Sequence, residues 1–301
     1  MRALKWLSLP ALCALALGAA ACGSDDDGGS IAIDGSSTVF PFGQAAAEEY
    51  KGEDPDTKIT VAQSGTGGGF EKFCAGETQI SQASRPIEDD EKAACDKEGI
   101  KYKELQVAND GIAVVTSKDL EIDCLTKEQL AELWGKDSKV TSYSDVGGPD
   151  TEVSLYGPGA DSGTFDFFTE AVNGEEGAST KNYQPSEDDN VLVEGVSGDK
   201  GGLAYFGFSY YEQNQDKLNL VAVDNGKGCV KPDAAKIQNG EYDLLSRPLY
   251  QYVSDKALSD NDSVKKFVDY ELENYESIAK AAQIVAMTPE QAEKSKQALG
   301  G

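Results

Sequence analysis

Short runs rich in β-branched and aromatic residues alternate along this chain with longer runs whose apolar residues recur at helical spacing. The first kind predicts strands over 30–33, 58–62, 112–117, 153–156, 203–206, 218–223 and 248–253. The second predicts helices over 44–50, 69–74, 89–97, 127–134, 164–172, 264–274, 276–282 and 289–299. Strands alternating with helices indicate an α/β fold with a mainly parallel sheet. No repeat period is visible, and no low-complexity stretch follows residue 30.

The N-terminus breaks this pattern. Arg2 and Lys5 precede an apolar run from Trp6 to Leu17, and Gly18-Ala19-Ala20-Ala21 precedes Cys22. This reads as an export signal over 1–21, its apolar run too short for a membrane-spanning helix. Cys22 then stands where a lipoprotein carries its lipid, with plain secretion and a stray cysteine as the alternative. A polar tether, 22–30, follows. The remaining length suffices for two medium lobes with real cores.

Composition narrows the function classes. A formal net charge of −26 argues against nucleic acid and against electrostatic attraction to anionic lipid. It says little about a small anion, because the Debye length is about 8 Å at physiological salt and groups touching the ligand decide affinity. The chain has 0 histidines, which excludes Ser-His-Asp and Cys-His catalysis and the commonest metal sites. Beyond Cys13 and Cys22, four cysteines remain: Cys74, Cys95, Cys124 and Cys229. In an exported protein they suggest two disulfides with three pairings open. Cys74–Cys95 with Cys124–Cys229 is favoured, since each bridge would then stay within one lobe. No Cys-x-x-Cys spacing supports zinc.

The chemistry-bearing pattern is a loop of glycine and hydroxyl residues running into a helix, found three times. The loops are Asp34-Gly35-Ser36-Ser37-Thr38-Val39-Phe40-Pro41, Ser64-Gly65-Thr66-Gly67-Gly68-Gly69 and Asp161-Ser162-Gly163-Thr164. A helix N-terminus has unpaired N–H groups and partial positive charge, so it suits an anion. Small residues let backbone approach closely, and hydroxyls add donors. Each loop alone also reads as a capped helix or a connector. The second lacks the Gly-Lys-Ser/Thr ending of a nucleotide loop, and the third has no histidine to activate Ser162. Arg85, in Ala83-Ser84-Arg85-Pro86-Ile87, needs an anionic partner: Glu88 or Asp90 in a structural pair, or a bound anion. Asp110, in Asn109-Asp110-Gly111, is a turn residue or an acceptor for a protonated ligand oxygen.

Two loops early in the chain, one near its middle and helices at its end suggest two lobes around a ligand. One would comprise 31–110 plus 247–301 and the other 111–246, with extended crossings at 110–117 and 246–254.

Taken in order, these segments resemble the phosphate-binding lipoproteins of ABC-type phosphate-specific transport, a family with the type II periplasmic-binding fold. The run from Asp189-Asn190-Val191-Leu192-Val193 to Gly201-Gly202-Leu203-Ala204-Tyr205 adds to the resemblance, which covers nearly all of the chain after the signal. It implies a two-lobed α/β protein that closes on inorganic phosphate and delivers it to a membrane permease, as a non-enzymatic monomer without cofactor. Thr38, the Val39 amide, Ser64, Ser162, Gly163 and Thr164 would donate to phosphate, with Ser37, Thr66 and Ser84 beside them. Better-known members have an arginine before the third loop, where this chain has Pro158. They have an aspartate after the serine equivalent to Ser84, where this chain has Arg85. Arg85 is therefore the expected cation, and the acceptor that separates phosphate from sulfate passes to Asp110, Asp34 or Asp161. Binding of another tetrahedral oxyanion, or a secreted phosphatase using Ser162 or a metal at Asp188 and Asp189, are the competing readings.

Overall fold

A computed structural model describes residues 29–300 apart from Asp161 and Glu187. The expected signal, Cys22, most of the tether and Asp161 therefore lie outside the described residues. Among those described, no helix is long and apolar enough to cross a membrane.

One sheet is ordered Lys58–Val61, Ser30–Gly35, Ile80–Ala83, Ser246–Ser254, Tyr102–Ser117. Its first three strands are parallel, and Ser246–Ser254 is antiparallel to both of its neighbours. The 16-residue strand Tyr102–Ser117 then leaves this sheet. Its pairing with Ser246–Ser254 ends at Gly111↔Ser246, and from Ile112 onward it pairs antiparallel with Gly202–Gly207 and Leu218–Asp224. Ser154–Gly157 extends this second sheet, parallel to Gly202–Gly207. The expected sheet was mainly parallel and the observed one is mixed. A chain that crosses out and returns along the same line must run its two crossing segments in opposite directions.

The cores divide in the same way. Ile31, Phe42, Leu105, Leu249, Phe267 and Met287 share one cluster, while Ile112, Trp134, Phe168, Val196, Tyr205 and Leu245 share another. In the second, Phe168 and Tyr205 stack at 3.7 Å with Trp134 edge-on to both. Disulfides join Cys74 to Cys95 and Cys124 to Cys229, the favoured pairing.

Most strongly periodic segments form as expected. The helix Asp262–Glu273 buries Val264, Phe267, Val268 and Leu272 on one face. Elements outside the expected pattern also form, among them Phe208–Gln213, Ala234–Asn239 and Asp255–Asp260, and two others show the reason. The strand Ile80–Ala83 reads Ile-Ser-Gln-Ala but is buried throughout, and Asp189–Gly198 is helical despite two glycines and three valines. In both, tertiary packing overrides local preference.

Candidate functional site

The sheet crossing puts the chemistry at the junction. Asp110 and Arg247 are the cross-strand pair next to the point where the first sheet gives way to the second. Arg247 Nε donates to Asp110 Oδ2 at 3.3 Å, and both side chains are largely buried, 15% and 7% exposed. Burial raises the Asp110 carboxyl above its ordinary range, opposed by the charge and hydrogen bond of Arg247 and by the Gly111 N–H.

From there the guanidinium reaches between the loops. Its Nη2 donates to Thr38 Oγ1 at 2.9 Å and to the Gly163 carbonyl at 3.3 Å. Its carbon lies 3.9 Å from the centroid of the Phe167 ring, which fixes the plane of the fork. One side chain thus touches the first loop, the third loop and the crossing strand.

Packing brings the first and third loops into contact. A Cβ built on Gly163 would stand 2.2 Å from Thr38 Oγ1 and 2.7 Å from both Ser37 Oγ and the Thr38 nitrogen. The second loop joins from the first sheet. Gly35, at φ +143°, lies so close to the Gln82 carbonyl that a Cβ would sit 2.0 Å from its oxygen, and the buried Ser36 donates its N–H to that carbonyl at 2.8 Å. The helix Gly65–Cys74 starts beside that contact, with Ser64 at its N-cap position.

A cavity of about 750 Å³ is lined by Ser37, Thr38, Ser64, Thr66, Ser84 and Arg247, together with Arg85, Gly163 and Asp166. A second, of about 950 Å³, continues past Thr38 and Gly163 to Asp110, Ser162 and Thr164. Val39 is wholly buried beneath the first loop and precedes the helix Phe40–Tyr50. Of the expected donors together with Arg85 and Asp110, all except Val39 therefore line one or both cavities, whereas Asp34, an alternative acceptor, lines neither. Thr66 and Ser84 are linked, Oγ1 to Oγ at 3.1 Å, with the Ser84 N–H donating to Thr66 Oγ1 at 3.2 Å. Ser162 Oγ accepts the Thr164 N–H at 3.2 Å and caps the short helix Gly163–Phe168.

Arg85 requires a correction. Its guanidinium is held by Glu91 through both Nη atoms, at 2.8 and 2.9 Å, and its Nε pairs with Glu88 at 3.2 Å. The hydrogen bond to Glu91 is the main cause raising its pKa. The expectation that Arg85 is the one full positive charge at the site does not match this geometry, because two glutamates already neutralise it. Arg247 is the residue that the sequence pattern left unmarked. A signal existed: Ser246-Arg247-Pro248 repeats Ser84-Arg85-Pro86, and arginine and proline of both copies line the same cavity. What decides between the copies is the partner, a cross-strand Asp110 for one and a helix-borne Glu91 for the other.

The cavity wall also carries acid. Burial, reinforced by Glu176, pushes the Asp166 carboxyl up to about 6, with Arg247 pulling the other way.

The comparisons with known proteins agree with this architecture. A family model described as a PBP superfamily domain matches residues 20–274. Protein SphX of Synechococcus elongatus is 45% identical over 249 residues, covering 81% of this chain and 73% of that protein. The phosphate-binding protein PstS of Staphylococcus haemolyticus is 39% identical over 287 residues, covering 91% of this chain and 89% of that protein. A crystal structure from Planctomyces limnophilus, described as a possible phosphate binding protein, superposes with a TM-score of 0.84 at 44% identity, covering 90% of this chain and 98% of that one.

Proposed function

The chain belongs to the PBP superfamily, in the family that includes SphX and the phosphate-binding protein PstS, and on that premise we propose that it captures inorganic phosphate in the cleft around Arg247 and hands it to the permease of an ABC-type phosphate transporter. One observation carries the reading: a buried guanidinium, fixed by Asp110 and Phe167, reaches both the first and the third hydroxyl loops. Arg247 supplies the full positive charge, in the role that the sequence alone assigned to Arg85. Ser37, Thr38, Thr66, Ser84, Ser162, Thr164 and the backbone of Val39 and Gly163 surround the anion with short, charge-assisted hydrogen bonds. No bond is broken, so the protein is a carrier and not an enzyme.

Two lobes, 31–110 plus 247–301 and 111–246, close over the ligand, with the paired crossings as the hinge. The separation of the two cores supports this division. Closure suits the cleft, since cavities of about 750 and 950 Å³ are of a size for ligands far larger than a five-atom anion. The N-terminal segment, by its sequence, exports the protein and anchors it by lipid at Cys22 to the outer face of the membrane. It acts there as a monomer beside its permease.

Calorimetry on protein freed of bound anion by unfolding and refolding tests the reading. Saturable binding of one phosphate per chain, much tighter than sulfate, is expected, with no phosphate released from esters. Sulfate binding as tight as phosphate would refute it.

A Gly163→Ala variant probes closure. The added methyl meets Thr38 Oγ1 and Ser37 Oγ, so the two loops must part. Overpacking of this kind costs about 1–3 kcal/mol, and since about 1.4 kcal/mol is tenfold in affinity, phosphate should bind about 5- to 150-fold more weakly. Unchanged affinity in the same titration would mean that the loops need not meet.

A further inference from the structure

We infer that Ser64 is the group that reads the proton of the bound phosphate, and that Asp34 with Lys72 are the positioning residues that make it do so. The inference rests on the phosphate reading above and concerns how the same cleft rejects a proton-free oxyanion.

The hydroxyls around the cleft are not equivalent. A serine or threonine hydroxyl has one hydrogen to give and two lone pairs to accept with. Thr38 Oγ1 accepts from Arg247 at 2.9 Å, and Ser162 Oγ accepts from the Thr164 N–H at 3.2 Å. Each keeps its hydrogen, and each can donate it to an anion.

Ser64 is oriented the opposite way. Its Oγ lies 2.9 Å from Asp34 Oδ1, and a carboxylate can only accept, so the Ser64 hydrogen is committed there. Asp34 is 3% exposed and is kept ionised by its surroundings. The Gly35 N–H donates to Oδ1 at 2.7 Å, and the Lys72 ammonium donates to Oδ2. Burial alone would raise this carboxyl, but the bonds from Lys72, Ser64 and Gly35 together hold it below its ordinary range. Ser64 makes no side-chain capping bond to the helix that it precedes. What it presents to the cavity, which it lines together with Thr38 and Arg247, is lone pairs.

An acceptor among donors discriminates by protonation. Near neutral pH phosphate carries at least one P–O–H, which can donate to Ser64 Oγ. Sulfate carries no hydrogen and would set lone pair against lone pair. Asp110, the first acceptor expected from sequence, already receives the Arg247 Nε and the Gly111 N–H.

The test is calorimetry of the intact protein with phosphate and with sulfate, comparing wild type, Ser64→Ala and Asp34→Asn. Ser64 is exposed, so its truncation leaves the fold intact. Ser64→Ala should weaken phosphate about tenfold while leaving sulfate unchanged or tighter, so the preference narrows by at least that factor. Asp34→Asn should shift the ratio the same way, because an asparagine amide can donate to Ser64 and free its hydrogen. If Ser64 were an ordinary donor, Ser64→Ala would weaken both anions equally; an unchanged ratio therefore overturns the inference. Loss of the preference in Asp110→Asn but not in Ser64→Ala overturns it as well, in favour of Asp110. Failure of the unaltered protein to bind phosphate would overturn the functional reading and this inference together.

Discussion

Arg247→Gln is expected to lower phosphate affinity about a hundredfold. A hydrogen bond to a charged group contributes about 1.5–3 kcal/mol, and two tenfold steps correspond to about 2.8 kcal/mol. The same change should also destabilise the protein without ligand, because it leaves Asp110 buried without its cation. Breaking a buried pair from one side costs about 3–5 kcal/mol. The two effects separate in a second variant. Adding Asp110→Asn removes the stranded charge, so urea unfolding should recover most of the stability while calorimetry still shows the weakened binding. Recovery of both together would mean that Arg247 acts only as a structural partner of Asp110. Arg247→Lys should not rescue affinity, since an ammonium cannot bridge Thr38 Oγ1, the Gly163 carbonyl and Asp110 in the flat geometry of a guanidinium on Phe167.

Glu271→Gln is expected to stabilise the protein, increasingly so toward alkaline pH. Glu271 is 1% exposed and, among the described residues, its one side-chain partner is Gln251 Nε2 at 3.1 Å. Its other oxygen, Gln251 Oε1 and both polar atoms of Gln82 are buried without a partner. Gln82 and Gln251 are cross-strand neighbours, so these orphans lie along one row of the first sheet. Burial pushes the Glu271 carboxyl up to about 8, and no charged group opposes it.

The direction of the pH dependence follows. Below the unfolded value near 4.5 both states hold the proton and there is no penalty. Between there and about 8 the unfolded chain releases the proton while the folded chain keeps it, so stability falls as pH rises. Above that range the penalty levels off. Each tenfold difference in proton affinity between the two states is worth about 1.4 kcal/mol, which puts the plateau on the order of 4–5 kcal/mol. Glutamine keeps the size and the acceptor oxygen and carries no proton to lose. Urea midpoints of the two proteins should therefore coincide near pH 4 and diverge to a plateau above pH 8, at unchanged m-value. A difference independent of pH would show that Glu271 is not the titrating group.

Much of this was legible along the chain. The helix Asp262–Glu273 announces itself because one apolar face at a fixed period can only be buried one way, and the strand Leu218–Asp224 because a short, β-branched apolar run suits a strand buried on both faces. The strand Ile80–Ala83 does not, because its Ser81 and Gln82 are buried by the elements around them and not by their own polarity. The three loops were visible because glycine and hydroxyl residues before a helix have a local meaning. Arg247 had none: Ser-Arg-Pro occurs twice, both arginines line the cavity, and nothing within either copy says which one is already neutralised by glutamates.

The sequence by itself determined the α/β class and the loops that can hold a small anion, since each follows from residue chemistry at short range; among three disulfide pairings it favoured one, which the structure shows. Only the tertiary structure decided which arginine serves the site and which way each hydroxyl points. Those outcomes depend on partners far along the chain or on another element, Asp110 for Arg247, Glu91 for Arg85 and Asp34 for Ser64. A cation already paired bidentately with a glutamate has little charge left for a ligand, and a hydroxyl hydrogen already given to a carboxylate cannot be given again.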